Sequence, residues 1–445
     1  MRTSAAAHGA TPPRPPLVKS WPIIGPARQF LGDVLPFLYE CRQTYGNAYR
    51  IRMAHLEMTC LLGDEAIDLL RPDSGLRTSH SMHVLDSQMQ SRLPGTFDGP
   101  HHMMFRKAHL QFMNRNLETK CRDDIQRCLA QHTDRWQPGV ELDMLHEAQT
   151  QTVDVLSNIL NGEPFPFSKK DLALVVHTMI WATFGHAPKL ILLNPAYRSA
   201  LRRMREHLRA VIEEIRANPE LAKTTLVGSY LDLDPPPELG SWETQDLVAV
   251  PLGAYLAGFD TLAAASSFLI YQLLGNPDCL AKAREEYDQL KQASPDGRVD
   301  PVDQKYLRAA FLETTRINPP GPAVLRYADR DIDFGGYRIR KGDEILIVIA
   351  GDHRNEQYFP EPDRFDPERF SGPQASDLKK RVLPFSTGNH RCTGSMLGEL
   401  MSVEMVSYWI HHFELQVAPG STVRPEARPY TQPRGLKVDV LGRRK

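Results

Sequence analysis

The stretch Leu247 to Leu274, LVAVPLGAYLAGFDTLAAASSFLIYQLL, runs for 28 residues with one charge, Asp260. An apolar run of about 20 residues can cross a bilayer as a helix. The chain therefore either enters a membrane here or holds a core large enough to bury a helix on every side. The make-up of the run favours burial: Pro251, Gly253, Gly258 and the acid–alcohol pair Asp260-Thr261 lie in its first half or close to its middle, and its neighbours are charged amphipathic segments. We expect a long helix through the core of a soluble protein. An aspartate without a partner is expensive in such surroundings, which makes Asp260 and Thr261 functional candidates. The plainer alternative is a hydroxyl bonded back to the helix backbone beside an exposed acid.

A chain of 445 residues is long enough for two or three average domains or one large one. No clean linker divides it, so the expectation is one mainly α domain with a minor β portion, residues 19–445, after a flexible proline-rich tail over residues 1–18. From about Pro36 to Gln245 the period is mostly helical, as in Ser199 to Ala217, with β-like runs at Ala48 to Met53 and Met58 to Leu62. Beyond the apolar run, helices are expected at Pro277 to Gln292 and Gln304 to Ile317, the latter stopped by Asn318-Pro319-Pro320. Short strands follow at Leu325 to Tyr327, Tyr337 to Ile339 and Glu344 to Ile349, then an irregular loop over Tyr358 to Gly372. Lys plus Arg at 53 against Asp plus Glu at 54 argues against nucleic-acid binding by bulk charge. Scattered cysteines and a polar N-terminus suit a reducing, cytoplasmic setting with neither signal peptide nor integral membrane segment.

The segment Pro384-Phe-Ser-Thr-Gly-Asn-His-Arg-Cys-Thr-Gly394 places one cysteine in a glycine-containing turn. Zinc or a thiol redox pair requires a second cysteine nearby, and Cys41, Cys60, Cys121, Cys128 and Cys279 are all distant in sequence. For a lone Cys392 there remain nucleophilic attack, axial ligation of a haem iron, or the inert life of a buried thiol.

Four separated segments, in order, resemble the cytochrome P450 family: Ala257-Gly-Phe-Asp-Thr261, Glu313-Thr-Thr-Arg316, Pro367-Glu-Arg-Phe370 and Phe385-x-x-Gly388-x-His390-x-Cys392-x-Gly394. The cysteine loop is the most specific of these. The resemblance is strong from Leu252 to Met401, recognisable at Asp98 to Phe112 and Trp21-Pro-Ile-Ile-Gly25, and thin from Asn116 to Asp246. Gly398, Met401 and His102 depart from the residues common in the family, where alanine, glutamate and tryptophan are usual.

The resemblance implies haem b with Cys392 as the metal ligand, Phe385 packed near the sulfur, and Gly388 and Gly394 permitting the turn. It implies that His102, Arg106, Arg326 and His390 hold the two propionates, and that Glu313, Arg316 and Arg369 form a charged triad behind the loop. Asp260 and Thr261 would deliver protons while bulk water stays out. The implied function is a monooxygenase that puts one atom of O2 into an apolar small molecule, fed by a separate ferredoxin or flavodoxin docking near Lys379, Lys380, Arg381, Arg391, Lys107 and Arg115. A peroxygenase or rearrangement catalyst of the same fold, or a haem carrier or sensor, are the alternatives.

Overall fold

The apolar run lies within a 32-residue helix, Thr244–Gly275, opened by a capping box in which Glu243 and Asp246 bond each other's backbone N–H. This computed structural model describes the chain except for residues 1–11, 21–24, 27–28, 31, 54–55, 92–93, 114, 164, 185–186, 236–239, 428–429 and 445, and the side chains at 94, 115–121 and 124. The tail residues 1–11, Trp21 to Ile24 and the side chain of Arg115 thus lie outside the described residues.

The helices that build and support the site are α1 (Val34–Tyr45), α2 (Gly99–Phe112), α3 (Met144–Asn161), α4 (Lys169–Thr183), α5 (Pro195–Ala217), α6 (Thr244–Gly275), α7 (Lys305–Ile317) and α8 (Ser395–His412). By length and composition α6 is long and apolar enough to cross a membrane, but it is mostly buried inside the protein. Tyr255, Leu256, Phe259, Leu262 and Leu269 on α6 join residues of α3, α5 and α8 in one continuous apolar core. Burial on so many sides replaces lipid with protein, which is why a hydropathy window cannot separate the two cases.

The strands are β1 (Ala48–Met53), β2 (Leu56–Leu61), β3 (Leu76–Thr78), β4 (Glu141–Asp143), β5 (Val324–Ala328), β6 (Ile332–Phe334), β7 (Tyr337–Ile339), β8 (Glu344–Ile347), β9 (Phe413–Val417), β10 (Arg424–Ala427), β11 (Thr431–Arg434) and β12 (Lys437–Arg443). Five of them form a mixed sheet in the order β1-β2-β8-β5-β3, parallel only between β2 and β8. Its register sets Arg326 of β5 opposite Thr78 of β3 and Ile345 of β8. That pairing carries Arg326 from the C-terminal third of the chain to the edge of the site. Strands β9 to β12 and β4 were not expected from sequence: they are short, with Pro425 and Pro433 in β10 and β11 and charged residues throughout. Long-range pairing, more than local propensity, holds them.

The expected flexible tail is corrected over its described end. Val18 N–H donates to Arg50 O at 2.8 Å, Arg50 N–H donates to Pro16 O at 2.7 Å, and Arg14 donates to both oxygens of Asp343 at 2.9 Å. Proline supplies no N–H of its own, so the segment runs along β1 as an edge partner.

Candidate functional site

The cysteine loop leaves the core at Leu383 and ends where α8 begins. Cys392 N–H donates to Phe385 O at 2.9 Å and Arg391 N–H to Gly388 O at 3.1 Å, folding the loop back on itself. Gly388 has φ +75°, and a Cβ there would come within 2.0 Å of Leu70 O, so no other residue fits without moving backbone. Gly394 differs from expectation: its φ is −84°, and a Cβ would sit 3.9 Å from Cys392 Sγ. What it supplies is a backbone N–H close enough to the sulfur to favour the thiolate. Ser386 takes φ +58°, strained for a residue with a side chain. Phe385 stacks on Phe311 of α7, ring centroids 6.2 Å apart, which ties the loop to that helix.

Burial pushes the Cys392 thiol up, opposed by the Gly394 N–H and the charges of Arg106 and Arg391. Yet the residue is exposed. Deep placement with an accessible surface means the sulfur borders an internal hollow instead of packed side chains. A matching feature appears on α6: Gly253, Ala254, Ala257, Gly258 and Thr261 retain accessible surface while every other residue from Leu247 to Ile270 is buried. Their spacing puts all five on one helix face. The start of α8 meets α6 beside this face, since a Cβ on Gly398 would lie 3.5 Å from Leu262 and 3.4 Å from Phe385. Tyr430, just before β11, closes the group: burial raises its phenol, and the charges of Asp260 and Cys392 raise it further.

The four candidate cationic groups converge from three separate segments. His102 Nε2 bonds Asn389 O at 2.9 Å and its ring stacks on His390 at 3.9 Å. Arg106, one turn along α2, donates to Arg391 O. His390 Nε2 meets Asp98 Oδ1 at 2.8 Å, so an acid that the sequence did not single out already occupies one of its nitrogens. Burial holds the His390 imidazole below its usual range, with Asp98 acting against it and His102 and Arg326 with it. Arg326 is deep in the protein, its guanidinium donating to Leu325 O at 2.7 Å and feeling the Asp98 charge. Such a largely desolvated guanidinium has N–H groups to offer to a carboxylate.

On α6 the two distal candidates have distinct settings. Thr261 Oγ1 donates back to Ala257 O at 2.7 Å, the arrangement that was the plainer alternative. Asp260 is not the exposed acid of that alternative: it is 0% exposed, accepts from Gln149 Nε2 of α3 at 2.9 Å, and lies 2.9 Å from His177 Nε2 of α4. Neither partner carried a sequence signal, because both sit on helices with ordinary amphipathic patterning.

Behind the loop, Glu313 and Arg316 are fully buried and joined by two bonds of 2.7 and 2.8 Å. Arg369 Nε donates to Glu313 Oε1 at 3.2 Å, and Asp366 N–H to the same oxygen at 3.0 Å. All three triad candidates are therefore in contact. The surface cations are less free than expected: Lys380 pairs with Asp377 at 2.8 Å, and Arg381 pairs with Asp64 at 3.3 Å while lying over the Tyr358 ring. Lys107 and Arg391 are exposed.

The family model for cytochrome P450 matches residues 13–439. The chain belongs to the cytochrome P450 family. Among relatives of this P450 is a putative cytochrome P450 135B1 of Mycobacterium tuberculosis, 25% identical over 88% of this chain and 84% of the relative. A cyclooctat-9-en-7-ol 5-monooxygenase of Streptomyces melanosporofaciens is 28% identical over 52% of this chain. A probable cytochrome P450 6d5 of Drosophila melanogaster is 32% identical over 39% of it. The matched region spans half of the Streptomyces protein's length and 35% of the fruit-fly protein's. A solved structure titled retinoic acid bound cyanobacterial CYP120A1 superposes with a TM-score of 0.85 at 20% identity, covering 97% of this chain and 99% of that one.

P450s bind haem b, and the residues of this chain fit it. A thiol beside a helix N-terminus faces a hollow, glycines and alanines keep the opposing helix face low, and two arginines with two histidines stand at one margin. That is the donor set required by an iron with one axial sulfur and a macrocycle with two carboxylates.

Proposed function

We propose that this P450 is a soluble, cytoplasmic haem-thiolate monooxygenase. An apolar compound with a C–H bond, O2, two electrons and two protons go in; the hydroxylated compound and water come out. The observation that carries the reading is the pairing of an accessible Cys392 with the small-residue face of α6. Haem b, when bound, supplies the metal and the redox chemistry that activates O2. Cys392 is assigned as its ligand, with Phe385, Gly388 and Gly394 fixing the sulfur, and His102, Arg106, Arg326 and His390 as the propionate side. Glu313, Arg316 and Arg369 hold the loop's support. Asp260 and Thr261 are assigned to proton delivery at the distal face, Thr261 by turning its hydroxyl from Ala257 O toward a water in the hollow.

An apolar substrate is supported by the glycine and alanine surface of α6 and by Tyr430. It also accords with a relative named for monooxygenation of cyclooctat-9-en-7-ol and a structural neighbour titled as retinoic acid bound. Electrons are proposed to come singly from a ferredoxin or flavodoxin attracted by Lys107 and Arg391.

The test is spectroscopic first. The reduced carbon monoxide complex should show the red-shifted Soret band diagnostic of thiolate ligation, and Cys392→Ser should lose it; an unchanged band in that variant sinks the ligand assignment. Turnover with NADPH, a surrogate ferredoxin reductase and ferredoxin under oxygen-18 gas then decides the activity. Label in the product supports monooxygenation. Product formed only with added hydrogen peroxide would make it a peroxygenase, and no product with any member of a fatty-acid, retinoid and steroid panel would favour a carrier or sensor.

A further inference from the structure

We propose that His177 is the solvent-side proton donor to Asp260, and that Gln149 holds Asp260 in position for it. The proposal deepens the monooxygenase reading and rests on it. Asp260 is the one acid within the apolar run, and no part of it touches solvent. An ionised carboxylate so placed needs partners, and it has two of different kinds. Gln149 Nε2 of α3, itself partly accessible, donates to Oδ1 at 2.9 Å and has no proton to transfer. His177 Nε2 stands 2.9 Å from Oδ2, and its side chain is 31% exposed. The imidazole thus touches the buried acid with one nitrogen while the side chain reaches solvent. Histidine can take up a proton on one ring nitrogen and release one from the other near neutral pH, which no permanently charged residue does.

The steps balance without any further reactant. A protonated His177 gives its Nε2 proton to Asp260 Oδ2, leaving a neutral imidazole and a neutral carboxylic acid. Neutralisation removes the ionic attraction between them, and the acid is free to turn about its side-chain torsions toward Thr261, the next residue of α6. There it gives up the proton to the distal water and returns as carboxylate, while His177 is recharged from bulk water. Two such cycles supply the two protons consumed per turnover.

On α4 itself, Lys169 pairs with Asp154 of α3 at 3.2 Å and Asp171 with Arg203 of α5 at 2.6 Å, both in the first turn of α4. From the β10–β11 hairpin, the Tyr430 phenol feels the Asp260 charge. His177 is therefore a positioning and relay residue that acts through Asp260.

Two variants separate relay from mere support. H177Q keeps an N–H donor for Asp260 and cannot shuttle a proton; H177F removes both. The strongest binder in the same fatty-acid, retinoid and steroid panel serves as the probe, with NADPH, surrogate reductase and ferredoxin. A general acid is worth roughly a hundredfold or more, but water reaching a half-exposed site recovers part of that, so H177Q should turn over about tenfold slower. It should also show a larger solvent deuterium isotope effect on kcat and release more hydrogen peroxide per NADPH. A readout independent of activity is the melting temperature of H177F, D260N and the double variant: contact between the two side chains predicts that the combined shift falls well short of the sum. H177Q with wild-type rate, isotope effect and peroxide yield, or melting shifts that simply add, overturns the inference. A wild-type protein that puts no labelled oxygen into product overturns the functional reading, and this inference with it, whatever the melting cycle gives.

Discussion

Replacing Arg316 by leucine should leave a P450 that neither holds haem nor folds stably, and the geometry says why. Glu313 and Arg316 are both 0% exposed. Arg316 makes two bonds to Glu313, a third to His353 O at 2.7 Å, and lies 5.0 Å over the Phe359 ring. R316L fills much of the volume but leaves the Glu313 carboxylate with Arg369 and one backbone N–H as its partners, and strands His353 O. Breaking a buried pair from one side costs about 3–5 kcal/mol, against a total domain stability of about 5–15 kcal/mol. The same bond length at the surface predicts the opposite. Lys380 and Asp377 are 2.8 Å apart with side chains 74% and 78% exposed, so K380A should leave stability unchanged within error. Urea unfolding followed by tryptophan fluorescence, with haem content measured on the purified proteins, compares the two directly. R316L with wild-type haem content and an unfolding midpoint equal to that of K380A would refute the argument that burial, not distance, sets the value of this pair.

Thr261→Ala should fold normally, since the hydroxyl bonds only its own helix at Ala257 O, but release several times more hydrogen peroxide per NADPH; equal coupling would remove Thr261 from proton delivery. Lys107→Glu combined with Arg391→Glu should slow the first electron transfer and flatten its dependence on ionic strength without changing substrate affinity, as stopped-flow reduction would reveal. Acid should destabilise the fold early: burial depresses His109, His353 and His411 to about 4, from the 6.5 usual for histidine. In that window the unfolded chain binds more protons than the folded one, so stability rises with pH there and falls as pH drops from 6.5 toward 4. His353→Gln should flatten the slope of melting temperature against pH across that range, and an unchanged slope would mean His353 does not carry one of those protons.

Helix α6 could be read in the sequence because 28 residues with one charge must leave water, and the proline, glycines and acid–alcohol pair within them suit a protein core better than lipid. The cysteine loop was legible because a lone thiol between glycines admits few chemistries, and Gly388 proved to be a position where only glycine fits. Both are local matters of periodicity, turn geometry and residue chemistry. The second glycine shows the limit: Gly394 has a backbone angle open to any residue, and only its placement beside the Cys392 sulfur shows what it does there. Tertiary structure alone decided the partners. Asp260 meets His177 across 83 residues of chain and Gln149 across 111, and His390 meets Asp98 across 292. Arg326 reaches the site by strand register, which depends on pairing with β3 and β8 rather than on any neighbour in sequence. A chain fixes which faces of its helices and strands are apolar, and so that they will pack. Which polar side chains meet when they do depends on the angles and offsets of layers distant in sequence, and no local pattern records those.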